Sequence, residues 1–327
     1  LVIGADKAQA ITKGSGVRVA VLDTGLNLSH NEFVGLNVSY QESFVAGEGP
    51  EDNLGHGTAI ASIVAAQAYL LLGVAPQVNI LNLKVMDRTG VGQYSWVATG
   101  IERAIDLSAH IVNLSLGGES DSALVEASLQ AFSNIGGLAV AAGGNSGLTV
   151  LDYPARSRYT IAVGGTTPNG TVAGWSHEGT WPDSVDCVAP GEMVWFVNGS
   201  GYTLGTGSSF SCALASGAFA LLFAAQPSAL SITPKLDPKY GVLLPGTIAN
   251  IRNLLYNTSI NLLDTRERQG YGLIRADSLV LSQPPPPNPF PEVVTPRASV
   301  SPFVWISAAA VGLVLLANKG KTKSKRG

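Results

Sequence analysis

Short apolar runs alternate with stretches of helical spacing along the first 260 residues. The run at 17–22 is rich in β-branched residues and ends at Asp23, which predicts a buried strand with a polar carboxyl end. Strands alternating with helices favour an α/β fold, in which a mostly parallel central sheet carries helices on both faces in three layers. Further strands are predicted at 78–85, 111–116, 138–142 and 161–163, and helices at 57–68, 94–107, 121–135, 212–225 and 247–257.

The pattern changes after residue 282, where we place the end of the globular domain 1–282. Repeated proline in 283–301 predicts an extended, semi-rigid linker. Residues 302–318 lack charge, which predicts a C-terminal transmembrane helix. The basic tail 319–327 then predicts a cytoplasmic C-terminus and an extracytoplasmic domain at the cell membrane. A helix packed on the domain and a sorting tail that is later cleaved are the alternatives.

Composition limits the classes of function. A chain of 327 residues that is 46% hydrophobic can bury one large core, and its net charge of -3 gives no reason to expect a nucleic-acid partner. The two cysteines and three of the four histidines have no metal-ligand spacing, so no metal site is predicted from them. These histidines are His30, His110 and His177.

Three separate segments each hold one side chain that could take part in nucleophilic catalysis. They are Asp23-Thr-Gly, Gly-His56-Gly-Thr, and the Gly- and Ser-rich stretch around Ser209. A serine hydroxyl is a weak nucleophile that needs a base to take its proton and an acid to orient that base. Each residue alone is more typical of a strand end, a turn or a loop, so the hypothesis depends on their combination.

The three segments, in this order, resemble the signatures of the subtilisin-like serine proteases (the subtilase family, peptidase family S8). The resemblance implies that Asp23, His56 and Ser209 are the catalytic triad of a serine endopeptidase that forms an acyl-enzyme. The stretch 139–147 resembles the oxyanion-hole segment, which implies that Asn145 stabilises the developing oxyanion with the backbone N–H of Ser209.

The same resemblance implies the walls of a site for a polypeptide substrate. An edge strand would pair with the substrate backbone, and two other segments would form the walls of the primary specificity pocket. Small residues in these walls favour a roomy slot for an apolar or large side chain, and the sequence does not identify the pocket floor. The edge is formed by Gly90, Val91 and Gly92, one wall by Ser115, Leu116 and Gly117, and the other by Ala142, Gly143 and Gly144.

The chain departs from the family pattern in three places. Ser208 and Ala213 stand where relatives usually have threonine and proline around the nucleophile. Residues 67–73, where many relatives place a calcium loop, offer almost no oxygen ligands, so that structural calcium site is not seen. No cofactor is expected. Family members are usually made with a propeptide, which is therefore an expected partner although none is visible in this chain.

The resulting hypothesis is a membrane-anchored subtilase. A proline-rich spacer followed by a membrane span also resembles the layout of the mycosins. The alternative is a catalytically inactive subtilase-like scaffold that binds peptides in a membrane complex. A different serine hydrolase, such as an esterase, is disfavoured because the Gly-x-Ser-x-Gly elbow with serine first is missing.

Overall fold

The computed structural model describes residues 3–67 and 69–282 and the backbone of 304–307. The strands are β1 Arg18–Asp23, β2 Asn37–Ser43, β3 Asn79–Lys84, β4 Val91–Gln93, β5 Ile111–Leu114, β6 Leu116–Gly117, β7 Leu138–Ala142, β8 Thr160–Thr166, β9 Cys187–Pro190, β10 Val194–Asn198, β11 Gly201–Gly205, β12 Lys235–Leu236, β13 Leu243–Leu244 and β14 Val304–Ser307. The helices are α1 Ala5–Gln9, α2 His56–Ala65, α3 Tyr94–Asp106, α4 Ala123–Asn134, α5 Ser208–Ala225, α6 Gly246–Thr258, α7 Arg266–Gln269 and α8 Ala276–Leu281.

A parallel sheet of seven strands forms the centre, in the order β2-β3-β1-β5-β7-β8-β9. Strand β1 shows why its sequence is apolar without alternation. Val19 and Val21 join the core on one face of the sheet, whereas Ala20 and Leu22 join the core on the other. Because successive side chains of a strand point to opposite faces, both faces are covered and the predicted three-layer architecture is confirmed.

Helices α3 and α4 cover one face, and α2, α5 and α6 cover the other. Helix α5 passes through the interior and packs against α2 and several strands. Its small residues allow this close approach, because a Cβ added to Gly217 would lie 2.6 Å from Cβ of Val74. Within the described part of the chain, α5 alone is long and apolar enough to cross a membrane, but 83% of it is buried, as expected for a core helix.

Several elements differ from the predicted pattern. Helix α5 begins at Ser208 rather than 212, so the nucleophile candidate lies inside its first turn. Strand β2 escaped prediction because it is an edge strand whose side chains are exposed or half-buried, which leaves no apolar run. The hairpin β10-β11 was also missed, and the stretch between the predicted helices 212–225 and 247–257 contains the short pair β12-β13.

Strand β14 lies within the predicted transmembrane helix 302–318. At these four residues the structure has extended chain, not helix, because β14 pairs antiparallel with β4 on one side and β6 on the other. The backbone groups are thereby paired across strands rather than along a helix. The rest of the predicted span, the linker 283–301 and the tail 319–327 lie outside the described residues.

Candidate active site

The three candidate catalytic side chains come from three elements that meet at the carboxyl edge of the sheet. Asp23 is the last residue of β1, His56 is the first residue of α2, and Ser209 is the second residue of α5. Clefts at the carboxyl ends of parallel strands are the usual ligand sites of such folds. The three residues are nearly inaccessible, with exposures of 1%, 5% and 1%.

Asp23 and His56 form a direct contact. The Nδ1 atom of His56 lies 2.7 Å from Oδ1 of Asp23, an oxygen that also accepts the backbone N–H of Thr24 at 2.8 Å. Burial alone would lower the pKa of His56, but the attraction of the Asp23 carboxylate for the imidazolium outweighs burial and raises it above the usual value. The pair therefore favours the tautomer with the proton on Nδ1 and leaves Nε2 to act as a base.

Ser209 and His56 are not hydrogen-bonded in this structure. The hydroxyl of Ser209 donates to the backbone carbonyl of Ser115 at 3.2 Å, and Nε2 of His56 is buried without a partner among the described residues. Catalytic hydrogen bonds are often long or absent before substrate binds. The structure thus brings Asp23 and His56 together and places Ser209 on a neighbouring helix, with its hydroxyl turned toward Ser115.

Asp52, which sequence analysis missed, fixes the position of the helix that carries His56. Its carboxylate accepts the hydroxyl of Thr24 at 2.8 Å, the backbone N–H of Gly55 at 2.8 Å and the backbone N–H of Thr58 at 2.8 Å. Burial would raise the pKa of Asp52, but these hydrogen bonds lower it overall. An acid just before a helix that starts at residue 56 is a capping signal, and it could have been noticed in the sequence.

Asn145 lies in the loop after β7, beside the start of α5. Its Oδ1 accepts the backbone N–H of Ser208 at 2.7 Å. A Cβ added to Gly207 would lie 3.6 Å from the side-chain amide nitrogen of Asn145, so that the amide lies beside the start of the helix. The backbone N–H of Ser209 belongs to the first turn of α5, where helices lack internal acceptors. Both predicted oxyanion donors therefore lie at the same helix N-terminus.

The two predicted pocket walls are both bonded to this helix N-terminus. The hydroxyl of Ser115 donates to the carbonyl of Ser209 at 2.9 Å, and the backbone N–H of Gly144 donates to Oγ of Ser208 at 3.2 Å. Ser208 thus supplies a hydroxyl oxygen as acceptor, as a threonine at this position would. Leu116, Gly117, Ala142 and Gly143 continue these walls along β6, at the end of β7 and in the loop that follows it.

The predicted edge strand also accepts an extended chain. Gly90 closes a turn at a positive φ of 79°, and β4 follows it. Ile306 of β14 pairs with Val91 and with Gly117, while Trp305 pairs with Gly92 and Ser307 with Leu116. An extended segment therefore lies between the edge strand and one wall, antiparallel to both, and it pairs with the edge strand whose pairing with substrate is predicted.

The loop at 69–71 binds a carboxylate instead of presenting ligands to a cation. Glu32 is fully buried and accepts the backbone N–H groups of Tyr69 at 2.9 Å and Leu71 at 2.8 Å, and also the hydroxyl of Tyr202 at 2.7 Å. Three consecutive N–H groups, including that of Leu70, point at this anion. N–H donors do not suit calcium, which requires oxygen ligands, so these residues do not fit a calcium site.

The other sequence candidates have structural surroundings. Cys212 donates to the carbonyl of Val140 at 3.3 Å inside α5, and burial raises its pKa to about 12, which rules out a reactive thiolate. His30 and His177 are buried, and Nδ1 of His110 accepts the backbone N–H of Arg18 at 3.0 Å. Both cysteines are free and buried.

Comparison with known proteins shows the family of the chain. The model of the subtilase family (peptidase S8) matches residues 14–273. Subtilisin Savinase of Lederbergia lenta is 38% identical over 269 residues, which cover 81% of this chain and 91% of that protein. Subtilisin DY of Bacillus licheniformis is 34% identical over 285 residues, 84% of this chain and 95% of that protein. An alkaline protease of Alkalihalobacillus alcalophilus is 38% identical over 269 residues, 81% of this chain and 64% of that protein.

A parallel-sheet fold with a buried Asp-His pair, together with these relatives, defines a serine endopeptidase of the subtilisin type that acts on polypeptides. The chain belongs to the subtilase family.

Proposed function

We propose that the chain cleaves peptide bonds through Ser209, His56 and Asp23, with Asn145 in the oxyanion hole. The buried contact between His56 and Asp23 carries the proposal, because it leaves one imidazole nitrogen, Nε2, without a partner among the described residues. A buried nitrogen with no partner costs free energy unless a ligand or reactant uses it.

In the proposed reaction, substrate binding turns the hydroxyl of Ser209 from the carbonyl of Ser115 toward His56. Oγ of Ser209 attacks the peptide carbonyl while Nε2 of His56 takes its proton. The Asp23 carboxylate stabilises the imidazolium that forms. His56 then gives the proton to the leaving amine, and the acyl-enzyme on Ser209 is hydrolysed by water that His56 deprotonates in turn.

The developing oxyanion is stabilised by two donors, the side-chain amide of Asn145 and the backbone N–H of Ser209. Their shared position at the N-terminus of α5 supports this role, because the helix dipole favours negative charge there. Loss of one such donor typically lowers turnover by about 10²–10³.

A fluorophosphonate probe tests the proposal, since it labels only an activated serine. We expect the folded protein to be labelled and to cleave peptide p-nitroanilides, and Ser209→Ala to abolish both. Ser228→Ala, at an exposed serine beyond α5, is the matched control and should behave as the parent. A folded parent that is neither labelled nor active would instead favour the inactive peptide-binding scaffold.

Attachment to a membrane stays a prediction. It depends on the uncharged sequence of 302–318 and the basic residues that follow, and the described residues include only four positions of that segment. Partition of the full chain between detergent and aqueous phases tests it, with a chain ending at residue 282 as the control.

A further inference from the structure

Asp152 joins the two predicted walls of the specificity pocket. Its backbone N–H donates to the carbonyl of Gly143 in one wall at 2.9 Å. The next residue, Tyr153, exchanges two backbone hydrogen bonds with Gly118, directly after the other wall, at 2.8 and 2.9 Å. Residues 152 and 153 therefore connect the two walls by backbone hydrogen bonds, which makes them the candidate floor that the sequence did not identify.

The side chain of Asp152 lies along the glycine wall. A Cβ added to Gly117 would lie 2.7 Å from Cβ of Asp152 and 3.2 Å from its Oδ2, so the missing side chain of Gly117 leaves the space that Asp152 uses. The Asp152 side chain is 26% exposed. Within the described part of the chain, neither of its carboxylate oxygens accepts a hydrogen bond.

No cation of the described residues neutralises this carboxylate. Arg156 is close enough to act on it, but the guanidinium is held by Asp121 and by the backbone carbonyls of Leu151 and Glu119. His177 places Nδ1 3.9 Å from Oδ1 of Asp152, and burial lowers the pKa of His177, so it is neutral at pH 7. Burial, the largest effect, raises the pKa of Asp152 to about 6.

A partly buried carboxylate without a counter-ion is costly, and a cation delivered by a ligand removes that cost. Serine proteases that cleave after basic residues use a carboxylate at the base of the pocket in this way. We propose that Asp152 receives the side chain of a lysine or arginine immediately before the scissile bond, so that the enzyme acts on polypeptides with a basic residue there. This assignment rests on the proposed function of Ser209 and His56.

The pocket preference then differs from that expected from small walls alone. Glycine and alanine walls make the slot roomy, and a carboxylate at its floor makes a long cationic side chain the occupant that matches both shape and charge. Charge-assisted hydrogen bonds to a carboxylate are about twice as strong as neutral ones, which favours lysine and arginine over apolar side chains of similar length.

The test compares succinyl-Ala-Ala-Pro-X-p-nitroanilides, with X as Lys, Arg, Leu or Phe, on the parent and on Asp152→Asn. We expect the parent to prefer Lys and Arg, and the variant to lose roughly 10- to 100-fold in kcat/KM on these two substrates alone. Asp106→Asn, at an exposed aspartate of α3, is the control and should keep the parent ratio. Equal Lys-to-Phe ratios in the parent and Asp152→Asn, or a parent that prefers Phe or Leu, overturn the proposal.

Two further measurements keep the proposal falsifiable if Asp152→Asn does not fold. The Lys-to-Phe ratio of the parent should rise with pH through about 6, because Asp152 ionises there while the protonation of His56 affects both substrates equally. Arg156, Glu119 and His177 also face this carboxylate. Benzamidine, a cation that fills such pockets, should inhibit the parent competitively; a flat ratio and no inhibition contradict the proposal.

The outcomes separate this inference from the proposed function. If the parent is not labelled by a fluorophosphonate, the proposed function fails. If it is labelled and cleaves all four substrates without a basic preference, only the role of Asp152 fails.

Discussion

The imidazole of His56 is held by Asp23 through a 2.7 Å contact between Nδ1 and Oδ1, in a site where both side chains are nearly inaccessible. In such surroundings the charge of Asp23 acts on the imidazole with little screening by solvent. Asp23 therefore sets the tautomer of His56 and contributes most of the attraction that raises its pKa, while Asp52 holds the start of the helix that carries it.

Asp23→Asn should lower kcat by about 10⁴, because an amide next to Nδ1 favours the wrong tautomer of His56. KM should change little, since Asp23 does not contact the predicted substrate strand. Steady-state kinetics with a peptide p-nitroanilide measure the effect, and Asp106→Asn is the control. A loss of less than tenfold would show that His56 keeps its orientation without Asp23.

The pKa of His56 gives a second prediction. Because Asp23 raises it, kcat/KM should fall as the pH drops through a midpoint above 6.5, where the imidazole becomes protonated and can no longer accept a proton. In a Ser209→Ala background, Asp23→Asn should move the midpoint below that of the parent, since burial is then opposed only by the weaker attraction of the Asp52 carboxylate. Nitrogen NMR of the His56 ring measures both midpoints, and an unchanged midpoint contradicts the assigned cause.

Glu32 provides a prediction about stability. Glu32→Gln should reduce the free energy of unfolding by about 1–3 kcal/mol at pH 7, because an amide nitrogen would face N–H donors where a carboxylate oxygen now accepts them. The hydrogen bonds to Glu32 outweigh burial and lower its pKa below 4.5. Its contribution is therefore present above about pH 4.5 and is lost as the pH falls through the lower value of the folded state.

Urea unfolding of the Ser209→Ala background, with and without Glu32→Gln, measures this difference at pH 7 and at pH 3. Glu51→Gln, at an exposed position, should leave stability unchanged. Chelation of calcium should not reproduce the loss at this loop. A difference between the two proteins that persists undiminished at pH 3 would contradict the role of ionised Glu32.

Strand β14 leads to a prediction about kinetics. It occupies the position between β4 and β6 that an extended substrate would use, so it competes with substrate for the same backbone groups. Ile306→Pro should lower KM severalfold and leave kcat unchanged, because proline is not tolerated in a strand that is paired on both sides. Ile306→Ala keeps the backbone N–H and is the matched control. Equal KM values for the full chain, Ile306→Pro and Ile306→Ala would show that β14 does not compete.

The sequence was sufficient to predict those features that depend on the pattern of residues within one segment. The order of Asp23, His56 and Ser209, and the apolar runs of β1 and β7, predicted the sheet and the residues at its carboxyl edge. The role of Asp152 could not be predicted, because it depends on hydrogen bonds to Gly143 and through Tyr153 to Gly118, residues brought together only by folding. Val304–Ser307 was predicted as helix because its apolar sequence carries no information about the strands it pairs with.

Helix α5 carries Ser209 at its first turn and is buried over 83% of its length. Its position beside α2 is defined only when the sheet, formed from strands distant in the chain, has assembled. Contacts of such long sequence separation carry a large cost in loop-closure entropy and slow folding. Ser209 and His56, the proposed nucleophile and base, therefore come together only when both helices are packed on the assembled sheet, so a nascent or half-unfolded chain is expected to have no hydrolytic activity.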